Sequence, residues 1–456
     1  MPVISPSLRL VIQRTLPLTV GLFATMMVQL VDSIFIGRLG VDELAIHGIT
    51  LPFQAAFIGV QVGLGVAATS LISQASGAQD SVRASNIATL SVVGGTIFIA
   101  LLSVVLYLLK APLLDAFLSG EASREHYVVL QSIFNRYWPF WLFSATSVAA
   151  LYLVSCVFRA NEDSKSTGKM FLYASLMNLV LDPILIFGLD LGIIGAALAT
   201  SIGYLSCTLY MLLSSGKKHW FSPIGRALKA IHHAKQLAAL TVTTTMNQAL
   251  PSVSAFLCMV FVSSLGTDAI AFWSLLARIE GFLLVFTLAL TMAVPPIIGR
   301  YLGQGEHSKI NEMLATTSKF LLLFHFSAAV IVGFGSSLLI PLINNDPTIQ
   351  GWFSTVLWVI PFSYGPLGLC MLVVSSFNAL GKPKRALLVS VVRLFALYVP
   401  AIWVGTSTGD VVNTVICAAT ANVLAGGYAW LKLQQFSATP IAPITTEAST
   451  ATQTTS

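Results

Sequence analysis

The chain has 456 residues, of which 56% are hydrophobic and only 9% are charged, and its mean hydropathy is +0.84. Because soluble domains carry about 25% charged residues, this composition excludes an ordinary soluble domain and indicates a polytopic α-helical membrane protein. The net charge of +6 does not indicate nucleic-acid binding, since the basic residues lie between apolar runs.

Twelve apolar segments are long enough to cross a hydrocarbon core about 30 Å thick. Turn signals such as "GRLG" (37–40), "GLDLG" (188–192) and "NNDP" (344–347) separate several of them. The chain is therefore predicted to be all-α, with twelve transmembrane helices in two pseudo-symmetric six-helix bundles. The predicted spans are roughly 15–37, 47–73, 86–109, 133–158, 170–188, 192–213, 237–262, 270–298, 314–342, 353–379, 386–405 and 411–433.

The distribution of basic residues orients these helices. With the N-terminus inside, about 18 of the 24 Lys and Arg residues, Arg159 among them, fall on the cytoplasmic side. Both termini are therefore predicted to be cytoplasmic. The longest basic loop, 214–236, is predicted to link an N-terminal lobe (1–213) to a C-terminal lobe (237–436). The Ser- and Thr-rich tail, 437–456, is predicted to be disordered.

The two halves resemble each other, as in many transporters. "FIGRLGVDELA" (35–45) aligns with "FVSSLGTDAIA" (261–271), and "DPILIFG" (182–188) aligns with "VPAIWVG" (399–405). Six spans per half give a parallel repeat, which predicts a binding cavity between the halves. Pro183 corresponds to Pro400, so both prolines are expected to bend or end a helix.

Two acids have no counterpart in the repeat, because Asp32 aligns with Cys258 and Asp182 with Val399. The fold itself therefore does not require them. A carboxylate at the centre of a membrane helix costs about 2.5–3.5 kcal/mol on insertion scales, and ionisable residues there are usually functional. A neutral packing role is the alternative.

Helix geometry predicts that these acids meet. Asp32 and Asp182 each lie about seven residues before an outer turn, about 10 Å inside the membrane at 1.5 Å per residue. Asn178 is one turn from Asp182, and Thr200 returns to a similar depth on the sixth span. We predict that these four residues form a coupling site for H⁺ or Na⁺.

Other polar residues are weaker candidates for substrate contact or for the polar network, with helix packing or interface anchoring as the alternative for each. They are Gln29, Gln54, Tyr137, Arg278 and Glu280.

No cofactor other than the coupling ion is expected. The five cysteines lie in apolar runs without a CxxC pair, which indicates packing. No zinc-protease, serine-hydrolase or nucleotide-binding motif is present, so we predict neither an enzyme nor an ATP-driven pump.

Three stretches resemble the multidrug and toxic compound extrusion (MATE) family, in its prokaryotic DinF-like branch. They are "PLTVGLFATMMVQLVDSIFIGRLGVDELA", "LISQASGAQD" and "NLVLDPILIFGLDLGIIGAALATSIG". The resemblance implies the MATE fold, with coupling residues at Asp32, Asn178, Asp182 and Thr200. The NorM-like branch instead carries acids in its seventh and tenth spans, where this chain has "TTTMNQALPS" and "IPFSYGPLGLCML" without a carboxylate.

The resemblance further implies a monomeric antiporter in the bacterial inner membrane that exports amphipathic, often cationic compounds by alternating access. Its expected partners are these small molecules and membrane lipid, with no nucleic acid. Proton coupling is the first expectation and sodium coupling the alternative. A flippase of lipid-linked precursors is a further alternative, which requires basic residues in the cavity, and only Arg278 and Arg393 are candidates.

Overall fold

A computed structural model describes residues 5–118, 124–343 and 345–437. Within these ranges the chain forms helices and no strand, and twelve helices are long and apolar enough to cross a membrane. The predicted all-α class and the number of spans are therefore confirmed. The predicted disordered tail lies outside the described residues, apart from Ser437.

The twelve helices are numbered α1–α12 in chain order, and α8 consists of two segments. Their bounds are α1 Pro6–Leu39, α2 Val41–Gly77, α3 Ser81–Leu108, α4 Arg124–Ala160, α5 Ser164–Gly188, α6 Ile193–Ser215, α7 Ile231–Ser263, α8 Thr267–Leu283 and Val285–Gly303, α9 His307–Ile343, α10 Pro347–Ala379, α11 Pro383–Ser407 and α12 Val411–Ser437. Two short helices, Lys110–Leu118 and Ile224–Lys229, lie between α3 and α4 and between α6 and α7. The second lies within the segment 214–236 that was predicted as a linker.

The predicted turns coincide with helix ends, but several helices are longer than predicted. α1 begins at Pro6 and α4 begins at Arg124, each about nine residues before the predicted start. Hydropathy locates only the part of a helix that is apolar enough for hydrocarbon. Backbone hydrogen bonds stabilise the polar extensions, and capping residues stabilise the helix starts. At the start of α5, for example, the Asp163 carboxylate accepts from the Ser166 N–H at 3.0 Å.

The equivalent prolines of the two halves each lie beside an irregular turn, but on opposite sides of it. Pro183 immediately precedes a wide, π-helical turn at Ile184–Gly188, and Pro400 closely follows another at Val392–Tyr398. Proline cannot donate a backbone hydrogen bond, and π-helical turns accommodate such interruptions. The break in α8 at Leu284 lies at no proline and was not predicted.

The helices pair in the same way in both halves. α1 packs on α5 as α7 packs on α11, and α2 packs on α4 as α8 packs on α10. Likewise, α4 packs on α6 as α10 packs on α12. We call α1–α6 the first lobe and α7–α12 the second lobe. Because the pairings repeat, the three-dimensional arrangement reproduces the repeat that was inferred from the sequence.

The lobes touch through α1 and α2, which pack on α7 and on the second segment of α8. The inner end of the molecule is the end at which α2, α8 and α10 finish, and the opposite end is the outer end. At the inner end a Cβ on Gly77 would collide with the Arg300 carbonyl, and a Cβ on Gly303 would collide with the Gln74 carbonyl. The backbones of α2 and α8 are therefore in direct contact there.

Hydrogen bonds reinforce this contact at the inner end. The Ser70 hydroxyl donates to the Asn378 carbonyl at 2.9 Å, and Gln74 Nε2 donates to the Ala379 carbonyl at 2.7 Å. These bonds join α2 to the last turn of α10. The inner end between the lobes is therefore closed in this conformation.

We expect Gly77→Ala to separate the lobes at the inner end, because the added methyl group has no space beside Arg300. Forcing a methyl group into such a contact costs about 1–3 kcal/mol, so the melting temperature in detergent should fall. Gly427→Ala is the matched control, because a Cβ at Gly427 meets no atom within 4 Å. Equal melting temperatures for the two variants would contradict the close contact.

Candidate functional site

Three helices of the first lobe hold the predicted coupling residues. α5 and α6 are joined by a short turn and run antiparallel, which brings Asp182 and Thr200 to adjacent positions. α1 approaches α5 closely because both carry glycine at the contact: a Cβ on Gly168 would collide with the Pro17 carbonyl, and one on Gly21 would lie 2.7 Å from the Gly168 carbonyl. This approach places Asp32 of α1 opposite Asp182.

The Asn178 side-chain amide joins the four residues into one cluster. Its orientation follows from its neighbours, because the nitrogen must face the carboxylates and the oxygen must face the donors. So oriented, it donates to Asp32 Oδ1 at 2.9 Å and to Asp182 Oδ2 at 2.8 Å. Its oxygen accepts from Thr200 N at 3.1 Å and from Thr200 Oγ1 at 2.8 Å. The structure thus brings together all four residues for which a coupling role was predicted.

The two carboxyl groups differ in their access to the surroundings. Asp182 is fully buried, whereas Asp32 is partly exposed. The two groups lie within hydrogen-bonding reach of each other, and Asp182 Oδ1 accepts no hydrogen bond from the described residues. A bond between two carboxyl oxygens needs a proton, so this geometry suits a pair that shares one.

Asp32 faces a cavity of about 610 Å³ that lies between the two lobes. Gln29, Gln54 and Tyr137, which were weaker candidates, also line this cavity. Its other walls contain aromatic and sulfur-containing side chains from both lobes, including Phe57, Trp141, Tyr152, Phe171, Tyr204, Met292 and Met371. Drug-sized ligands bind in cavities of about 300–1,000 Å³ with mostly apolar walls, so this cavity has the size and surface of a small-molecule site.

One polar contact beside the cluster was missed in the sequence. His47 Nδ1 lies 3.2 Å from the hydroxyl of Tyr137, which is only 2% exposed. Both residues line the cavity. The available signal was a histidine in the second predicted span, but its partner on α4 is 90 residues away and the contact depends on helix packing.

The other predicted residues lie apart from this cluster. Glu280 lines a separate cavity of about 30 Å³ in the second lobe, together with Trp273 and Tyr398. Arg278 is exposed and lines neither cavity. Gln54, the counterpart of Glu280 in the repeat, lines the main cavity. Equivalent positions in the two lobes therefore serve different cavities.

Arg159 was counted on the cytoplasmic side and lies in the last turn of α4 at the inner end, where it is only 3% exposed and lines the main cavity, as does Arg393. The count of basic residues uses position along the chain alone. It cannot tell a basic residue at a helix end that faces water from one that points between packed helices.

Comparison with known proteins finds similarity over nearly the whole chain. The family model MatE matches residues 17–184 and 243–404. A Shewanella oneidensis protein named FAD transporter is 26% identical over 434 residues, covering 92% of this chain and 93% of that protein. Multidrug export protein MepA of Staphylococcus saprophyticus is 23% identical over 385 residues, covering 83% of each chain.

A solved structure agrees with the fold described above. The MATE transporter VcmN of Vibrio cholerae, in the bent form, superimposes with a TM-score of 0.89 and 38% sequence identity, covering 94% of this chain and 96% of that chain. Asp32, Asn178 and Asp182 all lie within the ranges that the family model matches.

We expect the Asp32 and Asn178 side chains to be energetically coupled, because the amide donates directly to the carboxylate. In a double-mutant cycle of Asp32→Ala and Asn178→Ala, the effects on the free energy of unfolding in detergent should differ from additivity by about 0.5–3 kcal/mol. In the control cycle, Asn422→Ala takes the place of Asn178→Ala and its effect should add to that of Asp32→Ala. Asn422 is equally buried but bonds to Ser363 in the second lobe. Additive effects in the Asp32–Asn178 cycle would contradict the cluster.

Proposed function

The chain belongs to the MatE family of multidrug and toxic compound extrusion transporters, and we propose that it is a proton-coupled antiporter that exports amphipathic compounds by alternating access. Family membership makes the protein a membrane transporter and not an enzyme, as predicted. The observation that carries the proposal is the bridged pair of Asp32 and Asp182, with Asp32 in the wall of the cavity between the lobes.

Protonation of this pair has a large electrostatic consequence. Two unit charges 4 Å apart repel by about 4 kcal/mol at an effective dielectric constant of 20. Asp32 and Asp182 are close enough to share a hydrogen bond, so ionising both in the membrane is unfavourable unless α1 moves away from α5. Loading and unloading one proton at Asp32 can therefore bias the position of α1.

α1 is placed to pass such a change to the other lobe. It packs on α5 beside the carboxyl pair and also on the second segment of α8. The closed inner end, held by the Gly77–Arg300 contact and by the bond from Gln74 to Ala379, supports an outward-facing assignment for this conformation. Release of substrate requires the outer end to be open, and uptake requires the inner end to be open. The two ends must therefore open alternately.

The hydrogen bonds assigned to the Asn178 amide are compatible with H⁺ as the coupling ion, because its nitrogen, turned towards the carboxyl pair, donates to both groups. A sodium ion is instead bound by oxygen atoms. Binding of Na⁺ at Asp32, Asn178, Asp182 and Thr200 would require the amide to turn over.

The cavity supports a range of substrates rather than one rigid shape. Met292 and Met371 supply flexible, polarizable surface, and Trp141 and Tyr204 supply flat rings. The relative MepA is named a multidrug export protein, which agrees with amphipathic drugs as substrates. Once Asp32 has released its proton, its carboxylate can pair with a cationic drug. The drug and the proton would then compete for the same residue.

A second candidate function is export of an anionic aromatic compound such as a flavin nucleotide. The relative from Shewanella oneidensis is named FAD transporter, and Arg159 and Arg393 both line the cavity. A flippase of lipid-linked precursors, the further alternative, would use the same two arginines. Arg278, which was also a candidate for that role, lies outside the cavity.

We further propose that the protein lies in the bacterial inner membrane as a monomer, with both termini in the cytoplasm. The coupling cluster and the cavity are complete within one chain, so no second copy is needed. Large apolar side chains on the outside, such as Phe334 and Leu338, are more than 70% exposed and suit contact with lipid. The inner end carries most of the basic residues, which places it on the cytoplasmic side.

This orientation predicts the behaviour of reporter fusions. A green fluorescent protein fused after α12 should fluoresce, because it folds on the cytoplasmic side. An alkaline phosphatase joined in the outer turn between α5 and α6 should be active, because that enzyme needs the periplasm to form its disulfides. The reverse pattern, a dark C-terminal fusion or an inactive phosphatase of equal expression, would overturn the orientation.

Asp32→Asn should abolish coupled export, because the substituted amide cannot release a proton. In proteoliposomes with separately imposed pH and Na⁺ gradients, the unaltered protein should export a cationic dye under the pH gradient alone. Asp268→Asn is the control, because this exposed acid in the first turn of α8 lies outside the cavity. Dye export at the unaltered rate by Asp32→Asn, or export driven by Na⁺ alone, would refute proton coupling at this site.

A further inference from the structure

Arg159 is a buried cation without a counter-ion. It is 3% exposed, and its Nε and Nη1 atoms have no hydrogen-bond partner among the described residues. Its Nη2 lies 2.9 Å from the Cys156 sulfur, and its Cζ lies 5.4 Å from the centre of the Tyr152 ring. None of these neighbours supplies the negative charge that a buried guanidinium ordinarily needs.

The nearest carboxylates along the chain are already engaged elsewhere. Glu162 pairs with Arg14 at 3.4 Å and with Arg300 at 3.0 Å, and Asp163 pairs with Lys218 at 3.1 Å. Both acids follow the end of α4, whereas Arg159 turns back into the space between the lobes. Its charge is therefore directed at the cavity and not at the acids of the inner surface.

The inner part of the cavity is polar and lacks a carboxyl group. Arg393 of the second lobe lines the same cavity, and its Nε is also without a partner among the described residues. The buried hydroxyl of Thr69 in the same lining is unpartnered as well and can donate a hydrogen bond. Among the described residues, Asp32 is the only acid in the cavity lining, and it lies about 10 Å from the outer end of α1. Arg159 lies in the last turn of α4 at the inner end.

We propose that Arg159, with Arg393 as a second cation, binds an oxyanion group of the transported molecule, and that flat rings of the molecule lie against the aromatic side chains of the cavity. This inference rests on the proposed transport function and deepens its second candidate: the substrates would be aromatic compounds that carry an oxyanion such as a phosphate. Two nitrogens of the Arg159 guanidinium, Nε and Nη1, have no partner among the described residues, and each can donate a hydrogen bond to an oxyanion. Tyr152, which flanks Arg159, supplies a ring surface in the same wall.

The test compares ligands that differ in one oxyanion group. Binding of flavin mononucleotide and of riboflavin, which differ only in the phosphate group, to the purified full chain in detergent is measured by equilibrium dialysis. The unaltered protein should bind flavin mononucleotide at least about tenfold more tightly than riboflavin, the effect of one charge-assisted hydrogen-bonded pair.

Arg159→Gln should reduce this preference to less than about twofold while leaving riboflavin binding unchanged. Arg159→Lys should retain part of the preference, since it keeps the charge and loses the paired donors. Arg136→Gln is the matched control, because this arginine is exposed on the same helix and lies outside the cavity. If Arg159→Gln does not fold, Arg393→Gln takes its place and should weaken the preference severalfold.

An equal affinity of the unaltered protein for both flavins, or an unchanged preference in Arg159→Gln, overturns the inference. Failure of the proposed function looks different, because the oxyanion preference would persist while neither imposed gradient drives export. Conversely, gradient-driven dye export by a protein without the preference would leave the antiporter proposal standing and remove only the oxyanion site.

Discussion

The Asn178 amide, which donates to two carboxyl groups and accepts from Thr200, is the interaction on which the first lobe depends. Burying an unpaired carboxyl group in hydrocarbon costs several kcal/mol of free energy. That cost is largely avoided when an amide whose nitrogen and oxygen are both hydrogen-bonded joins the carboxyl groups. Its bonds tie α1, α5 and α6 to one another at a single depth. Because Asp182 is fully buried and Asp32 is in the cavity wall, only one member of the pair meets the solvent that brings or removes a proton.

The two lobes share their packing but not their chemistry. The same helix pairs form in each lobe, and the equivalent prolines Pro183 and Pro400 each lie beside a π-helical turn. Yet the position of Asp32 is occupied by Cys258 in the second lobe, and Glu280, an acid of that lobe, lines its own small cavity. Packing repeats because apolar helices of the same length and contour bury the same faces, whereas a polar side chain is tolerated only where its particular partners are present.

The cavity that results has a carboxyl group towards the outer end and guanidinium groups towards the inner end. Its inner boundary is made of glycine contacts and short hydrogen bonds between α2, α8 and α10. These contacts are close but few. The two lobes can therefore move apart at the inner end without disrupting the packing inside either lobe. A transporter needs this combination of two rigid bundles and an interface that can be broken at one end at a time.

The sequence by itself determined the twelve helices, the repeat and the depth of Asp32, Asn178, Asp182 and Thr200, because hydropathy and helical rise are properties of a single segment. It left the full length of α1 and α4 and the break in α8 at Leu284 unpredicted, since polar helix ends and local unwinding leave no trace in hydropathy. Only the tertiary structure decided which way the Asn178 amide points, that Tyr137 meets His47, and that Glu280 lies apart from the main cavity. It also placed Arg159, in the last turn of α4, in the wall of the cavity. Burial and partnership depend on which helix lies opposite, and that is set by packing between segments far apart in the chain.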